Sequence, residues 1–82
     1  MDYEAWFAAR LAALRMEKDV SARDMSLSLG QSESYINKIE NRRTLPSLKG
    51  FFYICAYLEI TPQEFFNTEM VSPGKTKEIV RE

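Results

Sequence analysis

Residues 29–48 read LGQSESYINKIENRRTLPSL and combine a glycine, three serines and two isoleucines at informative spacings. Gly30 follows an apolar residue and precedes a polar run, which is typical of a helix that ends in the left-handed conformation. Ser32 comes two positions later and predicts the N-cap of the next helix. Ile36 and Ile39 then lie about 60° apart around that helix, so they share its inner face. The stretch predicts a tight turn followed by a short helix with one apolar side.

A second short helix precedes the turn. Ser21 begins the sequence SARD, which resembles a capping box with Asp in place of Glu or Gln. Met25 and Leu29 follow at helical spacing and point inward. Two short helices joined by a glycine turn form a helix-turn-helix motif. The later helix is predicted to run to about Asn41, which takes the left-handed position where a glycine is common.

Three further helices complete the pattern, so the sequence predicts an all-α, compact five-helix bundle. The first spans residues 3–18, Ser47 caps the fourth, and the sequence TPQE at 61–64 caps a short fifth. The helix-turn-helix domain is placed at residues 1–67. Residues 68–82 are a polar C-terminal tail, expected to be a short helix or partly disordered. The expected core includes aromatic and sulfur side chains at Phe51, Phe52, Cys55, Phe65 and Phe66.

Arg10 falls inside the apolar stripe of the first helix, where an unpaired charge is costly. Glu40 projects close to Ile36 on the inner flank of the third helix. We therefore predict a structural ion pair between Arg10 and Glu40. On the opposite side of the third helix, Ser34, Asn37 and Lys38 lie within about 100° and are available to an outside surface.

The composition excludes several classes of function. The 82 residues include no histidine and one cysteine, Cys55, so a Cys/His metal cluster, a Cys–His nucleophile pair and an intrachain disulfide are ruled out. No acid, base and nucleophile converge, so an enzyme is not expected. No apolar run approaches the roughly 20 residues of a membrane span, and the start MDYE lacks a signal-peptide pattern. We expect a cytoplasmic protein without cofactor, metal or small-molecule ligand.

The charges are unevenly distributed along the chain. Eleven Lys and Arg against twelve Asp and Glu give a net charge of −1, which offers no general attraction to a polyanion. Within residues 38–49, however, Glu40 is the only acid. The basic residues of that segment are Lys38, Arg42, Arg43 and Lys49. The outer side of the third helix is therefore predicted to be basic although the whole chain is slightly acidic.

The sequences RLAALRMEKDVS, LGQSESYINKIENRRTLPSL and YICAYLEITPQEFF occur in that order with suitable intervals. Together they resemble the Cro and phage-repressor type of helix-turn-helix protein, the XRE family, over about residues 7–67. The resemblance implies a lambda-repressor-like fold that inserts its third helix, about residues 33–41, in the major groove of DNA. It implies base-facing positions at Glu33, Ser34, Asn37 and Lys38. It implies DNA-backbone contacts from Gln31, Ser32, Tyr35, Arg42 and Arg43. The family also pairs an arginine of the first helix with a glutamate at the end of the third.

The chain departs from the family pattern in two places. Many relatives place glutamine after the cap of the second helix, whereas Ala22 cannot donate a side-chain hydrogen bond, so Arg23 is the substitute backbone contact. The glycine that often follows the third helix is replaced by Arg42.

The resemblance implies a sequence-specific, double-stranded DNA-binding transcriptional repressor that acts as a homodimer. The candidate dimer surface is formed by the fourth and fifth helices and the tail, and it carries Tyr53 and Tyr57, two aromatics on the flank of the fourth helix. The alternative is a protein-interaction or antitoxin-type module with the same fold.

Several site residues keep two interpretations. Glu33 either accepts a hydrogen bond from cytosine N4 or stabilises the start of the third helix and repels phosphate. Lys38 either donates to guanine or is a solvated lysine, and Asn37 either reads adenine or is solvated. Arg42 and Arg43 form either a phosphate clamp or a solvated loop pair.

Overall fold

The computed structural model describes residues 2–68 and contains five α-helices. They are α1 (Tyr3–Glu17), α2 (Ala22–Ser28), α3 (Tyr35–Glu40), α4 (Leu48–Leu58) and α5 (Pro62–Phe65). No strand occurs in this part of the chain, so the predicted all-α architecture is confirmed. Apart from Thr68, the predicted C-terminal tail lies outside the described residues.

Side-chain caps fix the starts of four helices. Ser21 accepts a hydrogen bond from the backbone N–H of Asp24, and Ser47 accepts one from that of Gly50. Thr61 and Glu64 form a reciprocal capping box with Pro62 at the first helical position, as predicted. Helix α1 starts in the same way at Asp2, a cap that the sequence analysis did not identify. Each cap satisfies a backbone donor that the helix itself leaves unpaired.

Helix α3 starts differently, and the predicted N-cap at Ser32 is wrong. The N-cap is Ser34, and its side chain makes no capping hydrogen bond. Instead, the hydroxyl of Ser26 in α2 accepts a hydrogen bond of 2.9 Å from the backbone N–H of Ile36 and donates one of 2.7 Å to the carbonyl of Ala22. Ser26 is fully buried. Helix α2 therefore caps helix α3 through a buried serine.

The turn between α2 and α3 confirms the predicted role of Gly30, whose φ is +75°. The predicted left-handed end of α3 at Asn41 is wrong, because that residue has φ −96° and Arg42 takes the left-handed position with φ +60°. The Asn41 amide donates to the carbonyl of Asn37 at 2.8 Å. This bond holds Asn41 against the last turn, so the chain reverses one residue later.

The core lies where α1, α3, α4 and α5 meet around Met25 of α2. The most buried apolar side chains are Ala8, Leu11, Leu14, Met25, Ile36, Ile39, Phe51, Ile54, Cys55, Leu58 and Phe65. Phe65 has edge contacts with Trp6 and Phe51. Phe52 was predicted in the core but is half exposed, because it lies on the outer flank of α4. Phe66 is also partly exposed, although its ring stacks on Trp6 at 5.5 Å.

The predicted ion pair between Arg10 and Glu40 is wrong. Glu40 binds Arg15 instead, through two hydrogen bonds of 2.7 and 3.1 Å. Arg10 donates to the backbone carbonyls of Phe65 at 2.6 Å and Glu64 at 2.8 Å. Helical angles indicated correctly that Arg10 turns inward, but they do not say which element covers it. That element is the C-terminal end of α5, whose carbonyl groups need donors.

Candidate nucleic-acid interface

The outer side of the helix-turn-helix unit gathers the residues predicted to contact DNA. Ser34 and Tyr35 are partly buried. The other predicted contact residues in the turn, in α3 and just after α3 are exposed: Gln31, Ser32, Glu33, Asn37, Lys38, Arg42 and Arg43. Helix α3 is anchored behind them by Ile36 and Ile39, both almost fully buried. Helix α3 therefore exposes polar side chains to solvent on one side and packs its two isoleucines into the core on the other.

A hollow of 670 Å³ separates α3 from the start of α4. Gln31, Tyr35 and Lys38 line one side, and Ser47, Lys49 and the intervening loop line the other. The structure thus brings Gln31 and Lys38 of the predicted site next to Lys49, which the sequence placed only in a basic segment. Two ammonium groups beside one open hollow favour a negatively charged occupant.

Tyr35 connects this hollow to helix α4. A Cβ atom at Gly50 would lie 2.8 Å from the Tyr35 hydroxyl oxygen, so the glycine leaves the space that the phenol uses. Burial raises the pKa of the Tyr35 phenol above its ordinary value. The hydroxyl therefore stays protonated at neutral pH and can donate a hydrogen bond to an anionic oxygen.

Arg23 and Glu33 form an ion pair across the helix-turn-helix unit. The Nε atom of Arg23 lies 2.7 Å from Oε1 of Glu33, and each side chain is 65% exposed. The hydrogen bond from this arginine to Glu33 raises the pKa of Arg23. Glu33 precedes the N-cap of α3 and is not in the first helical turn. A dipole effect falls off outside that turn, so the structure weakens the interpretation of Glu33 as a helix-end stabiliser.

The basic residues of the outer surface differ in their partners. An Asp2 carboxylate oxygen lies 3.6 Å from Nη1 of Arg42, and both side chains are more than half exposed. Within residues 2–68, no ion pair involves Lys38, Arg43 or Lys49. These three cations therefore keep their full charge for an outside partner.

The candidate dimer residues Tyr53 and Tyr57 are not equivalent. Tyr53 is 55% exposed. Tyr57 is partly buried against the core, and the Lys18 ammonium lies 5.5 Å from the centre of its ring. Tyr53 is therefore the more accessible of the two aromatic groups.

A second apolar surface, which the sequence analysis missed, lies between the start of α1 and the start of α4. Its exposed members are Tyr3, Leu45, Leu48 and Phe66. Two hollows, of 150 and 310 Å³, lie on it and share Phe7, Leu45 and Phe66. We call these residues the apolar face. Helical periodicity could not find it, because Leu45 lies in a loop, Phe66 follows the end of α5, and the other members belong to α1 and α4.

Within residues 2–68, no group of acidic or cysteine side chains could hold a metal ion. The helices of the described part are also too short or too polar to cross a membrane.

A buried serine and Gly30 join α2 to α3, and exposed polar and basic side chains cover the outer surface of the unit. These features define a helix-turn-helix protein. The family model HTH_3, helix-turn-helix, matches residues 11–65. The chain therefore belongs to the Cro/C1-type helix-turn-helix family, the XRE family of DNA-binding regulators. No curated protein and no solved structure matches the chain.

Proposed function

We propose that this protein is a sequence-specific repressor that binds double-stranded DNA by inserting α3 in the major groove. The observation that carries this proposal is the outer side of α3, where Lys38 is exposed and forms no ion pair with any residue of 2–68. Arg43 and Lys49 flank that position, and they also form no ion pair within the described residues. Membership in a family of DNA-binding regulators supports the same interpretation.

The proposal gives base recognition to the side chains at the front of α3. Lys38 donates to guanine O6 or N7. Asn37 accepts a hydrogen bond of 3.0 Å from Asn41, so its amide is oriented before DNA arrives, and its NH₂ group can donate to a base edge. Ser34 has a hydroxyl that is not used for capping. It therefore can bond to a base or a phosphate.

The remaining site residues hold the DNA backbone in this proposal. Phosphate contacts come from Gln31, Ser32, Tyr35, Arg42 and Arg43. Such contacts fix orientation and affinity but carry no sequence information directly. The phenol of Tyr35 can donate while it also packs against α4.

Selection from a pool of randomised duplexes at low salt tests the proposal. We expect an enriched site for the unmodified protein. Lys38→Ala should relax the base preference at one position of each half-site, because it removes a base contact. Arg43→Ala is the matched control and should weaken all sequences alike, with the slope of log affinity against log salt reduced by about 0.9. If no site is enriched, sequence-specific binding is refuted, and if Lys38→Ala leaves the site unchanged, the base contact from Lys38 is refuted.

Dimerisation is the second part of the proposal. One domain contacts few base pairs, and a twofold dimer reads two half-sites about 34 Å apart. We place the second copy on the apolar face, because Leu45 belongs both to that face and to the lining of the hollow beside α3. A dimer contact there lies next to the DNA-binding side. Tyr53 and Tyr57 form the other candidate dimer surface.

Sedimentation analysis distinguishes the two dimer surfaces. Leu48→Glu puts a charge on an exposed part of the apolar face and should give monomers, since a buried charge without a partner is costly. Tyr53→Ser should leave the dimer intact. The opposite pattern would place the dimer contact on the tyrosine surface, and a monomeric unmodified protein would refute dimerisation.

The apolar face also supports the alternative function, a protein-interaction or antitoxin-type module. The net charge of −1 is compatible with a protein partner. This alternative predicts no salt-dependent duplex binding, whereas the repressor proposal requires it.

A further inference from the structure

The ion pair between Arg23 and Glu33 joins two residues that the sequence analysis predicted to contact DNA, one at the backbone and one at a base. Arg23 is the second residue of α2 and is the substitute backbone contact of the sequence analysis, and Glu33 is a candidate base-facing residue. In the structure the two side chains bind each other, with 2.7 Å between Nε of Arg23 and Oε1 of Glu33. Among the described residues, no other side chain donates to the Glu33 carboxylate.

This pair does not serve the fold in any way that the structure shows. Both side chains are 65% exposed, so neither covers the core. The start of α3 is secured by Ser26, and the start of α2 by Ser21. The pair therefore spans the motif without capping either helix.

We propose that Glu33 is a specificity-determining residue that acts by holding Arg23 away from phosphate on non-matching DNA. At a matching site, the amino group of cytosine donates to the Glu33 carboxylate, and Arg23 turns to a phosphate. This inference rests on the proposed function, because it assigns a regulation to the same DNA-binding surface.

Electrostatics make such an exchange feasible. An exposed ion pair in water is held weakly and is screened by salt, so a phosphate can compete for the guanidinium. Release of Arg23 without a new partner for Glu33 would leave a carboxylate close to the phosphates, and like charges repel. Cytosine N4 supplies the donor that this carboxylate needs in the major groove. The phosphate contact of Arg23 therefore adds affinity only at sites where a cytosine amino group donates to Glu33.

The test compares Glu33→Gln, Arg23→Gln and the double variant with the unmodified protein. Each is measured on a random duplex and on the duplex enriched by the unmodified protein, over a range of salt concentrations. On random duplex, Glu33→Gln should bind more tightly and steepen the salt slope by about 0.9, because one arginine is freed. The double variant has the same net charge as the unmodified protein and should return to its slope. Glu33→Gln should also lose the preference for cytosine at one position of each half-site.

The inference is overturned if Glu33→Gln leaves the slope on random duplex unchanged. It is also overturned if the double variant binds random duplex more tightly than Arg23→Gln by the same factor that separates Glu33→Gln from the unmodified protein. The glutamate would then act by general repulsion of phosphate alone. Retention of the cytosine preference in Glu33→Gln would overturn the part that concerns base reading. The proposed function fails separately, when the unmodified protein enriches no duplex.

Discussion

Residues 2–68 contain two arginine–glutamate pairs with the same short contact and different surroundings. In both pairs 2.7 Å separates the arginine Nε from a glutamate oxygen. Arg15 and Glu40 are only 17% and 14% exposed, whereas Arg23 and Glu33 are both 65% exposed. The inner pair has a second hydrogen bond, and Arg15 also donates to the carbonyl of Val20 at 2.8 Å.

This difference shows that burial, and not distance, decides what an ion pair does. Arg15 links α1 to the end of α3 and to the segment before α2, and water has little access to replace its partner. The hydrogen bond that Arg15 donates to Glu40 raises the pKa of Arg15, so the guanidinium keeps its charge and needs the carboxylate beside it. The outer pair can exchange its partners, because water and salt compete with both members. The inner pair therefore stabilises the fold, and the outer pair is available for binding.

The largest effect should come from Glu40→Ala. It leaves Arg15 poorly solvated without a carboxylate, which costs about 2–4 kcal/mol of the free energy of unfolding. Urea unfolding followed by circular dichroism measures this as a lower midpoint with an unchanged slope. The matched variant Glu33→Ala breaks the outer pair and should leave the midpoint where it is.

Equal shifts of the midpoint in Glu40→Ala and Glu33→Ala would contradict the contrast between the two pairs. Arg15→Lys sharpens the measurement, because lysine keeps the charge but cannot reproduce the forked contact to Glu40. We expect Arg15→Lys to lie between the unmodified protein and Glu40→Ala in stability.

Local signals in the sequence were sufficient to predict the five helices. The caps at Ser21, Ser47 and Thr61 and the glycine turn at Gly30 act within four residues of chain, so short motifs identify them. The family match over residues 11–65 confirms the resemblance carried by the three quoted segments.

Contacts between distant parts of the chain could not be predicted in the same way. Glu40 was correctly expected to need an arginine, but Arg10 was chosen because helical angles place a residue on a face without identifying the element opposite. Arg10 donates its hydrogen bonds to the terminal carbonyl groups of α5, and Arg15 is the arginine that binds Glu40. The pair between Arg23 and Glu33 depends on how the turn after α2 folds back toward that helix, which no local pattern encodes.

Ser26 was missed although one signal was present. It follows the buried Met25 in a short helix, and a polar group there needs a hydrogen-bond partner. Its partner is a backbone N–H in the next helix, which only the packing of α2 on α3 brings within reach. The DNA-contacting roles on the exposed side of α3 stay predictions.

A smaller effect on stability should come from Ser26→Ala. The comparison is between the buried hydroxyl of Ser26 and the outer hydroxyl of Ser34. Without Ser26, the buried N–H of Ile36 loses its acceptor, at a cost of about 1–3 kcal/mol. Thermal unfolding should show this loss. Ser34→Ala removes an outer hydroxyl that caps nothing, so it should leave the unfolding temperature unchanged and weaken duplex binding.

A destabilised Ser34→Ala protein together with a stable Ser26→Ala protein would mean that Ser34 is the true cap of α3. Hydrogen exchange at the Ile36 amide gives a local test. Protection there should fall in Ser26→Ala and persist in Ser34→Ala.

The smallest effect on stability should come from Arg42→Gly. The change relieves the backbone of this residue, which favours folding, and removes its charged side chain, which weakens DNA binding. Arg42 has φ +60°, a conformation that costs a non-glycine residue about 1 kcal/mol, so glycine should raise the free energy of unfolding by about 0.5–1 kcal/mol. The same change removes a cation from the outer surface and should reduce the salt slope of duplex binding by about 0.9. Arg43 has no positive φ, and Arg43→Gly should lose binding without the gain in stability. If Arg42→Gly were destabilising, the contact between Arg42 and Asp2 at 3.6 Å would contribute more to the fold than its exposure indicates.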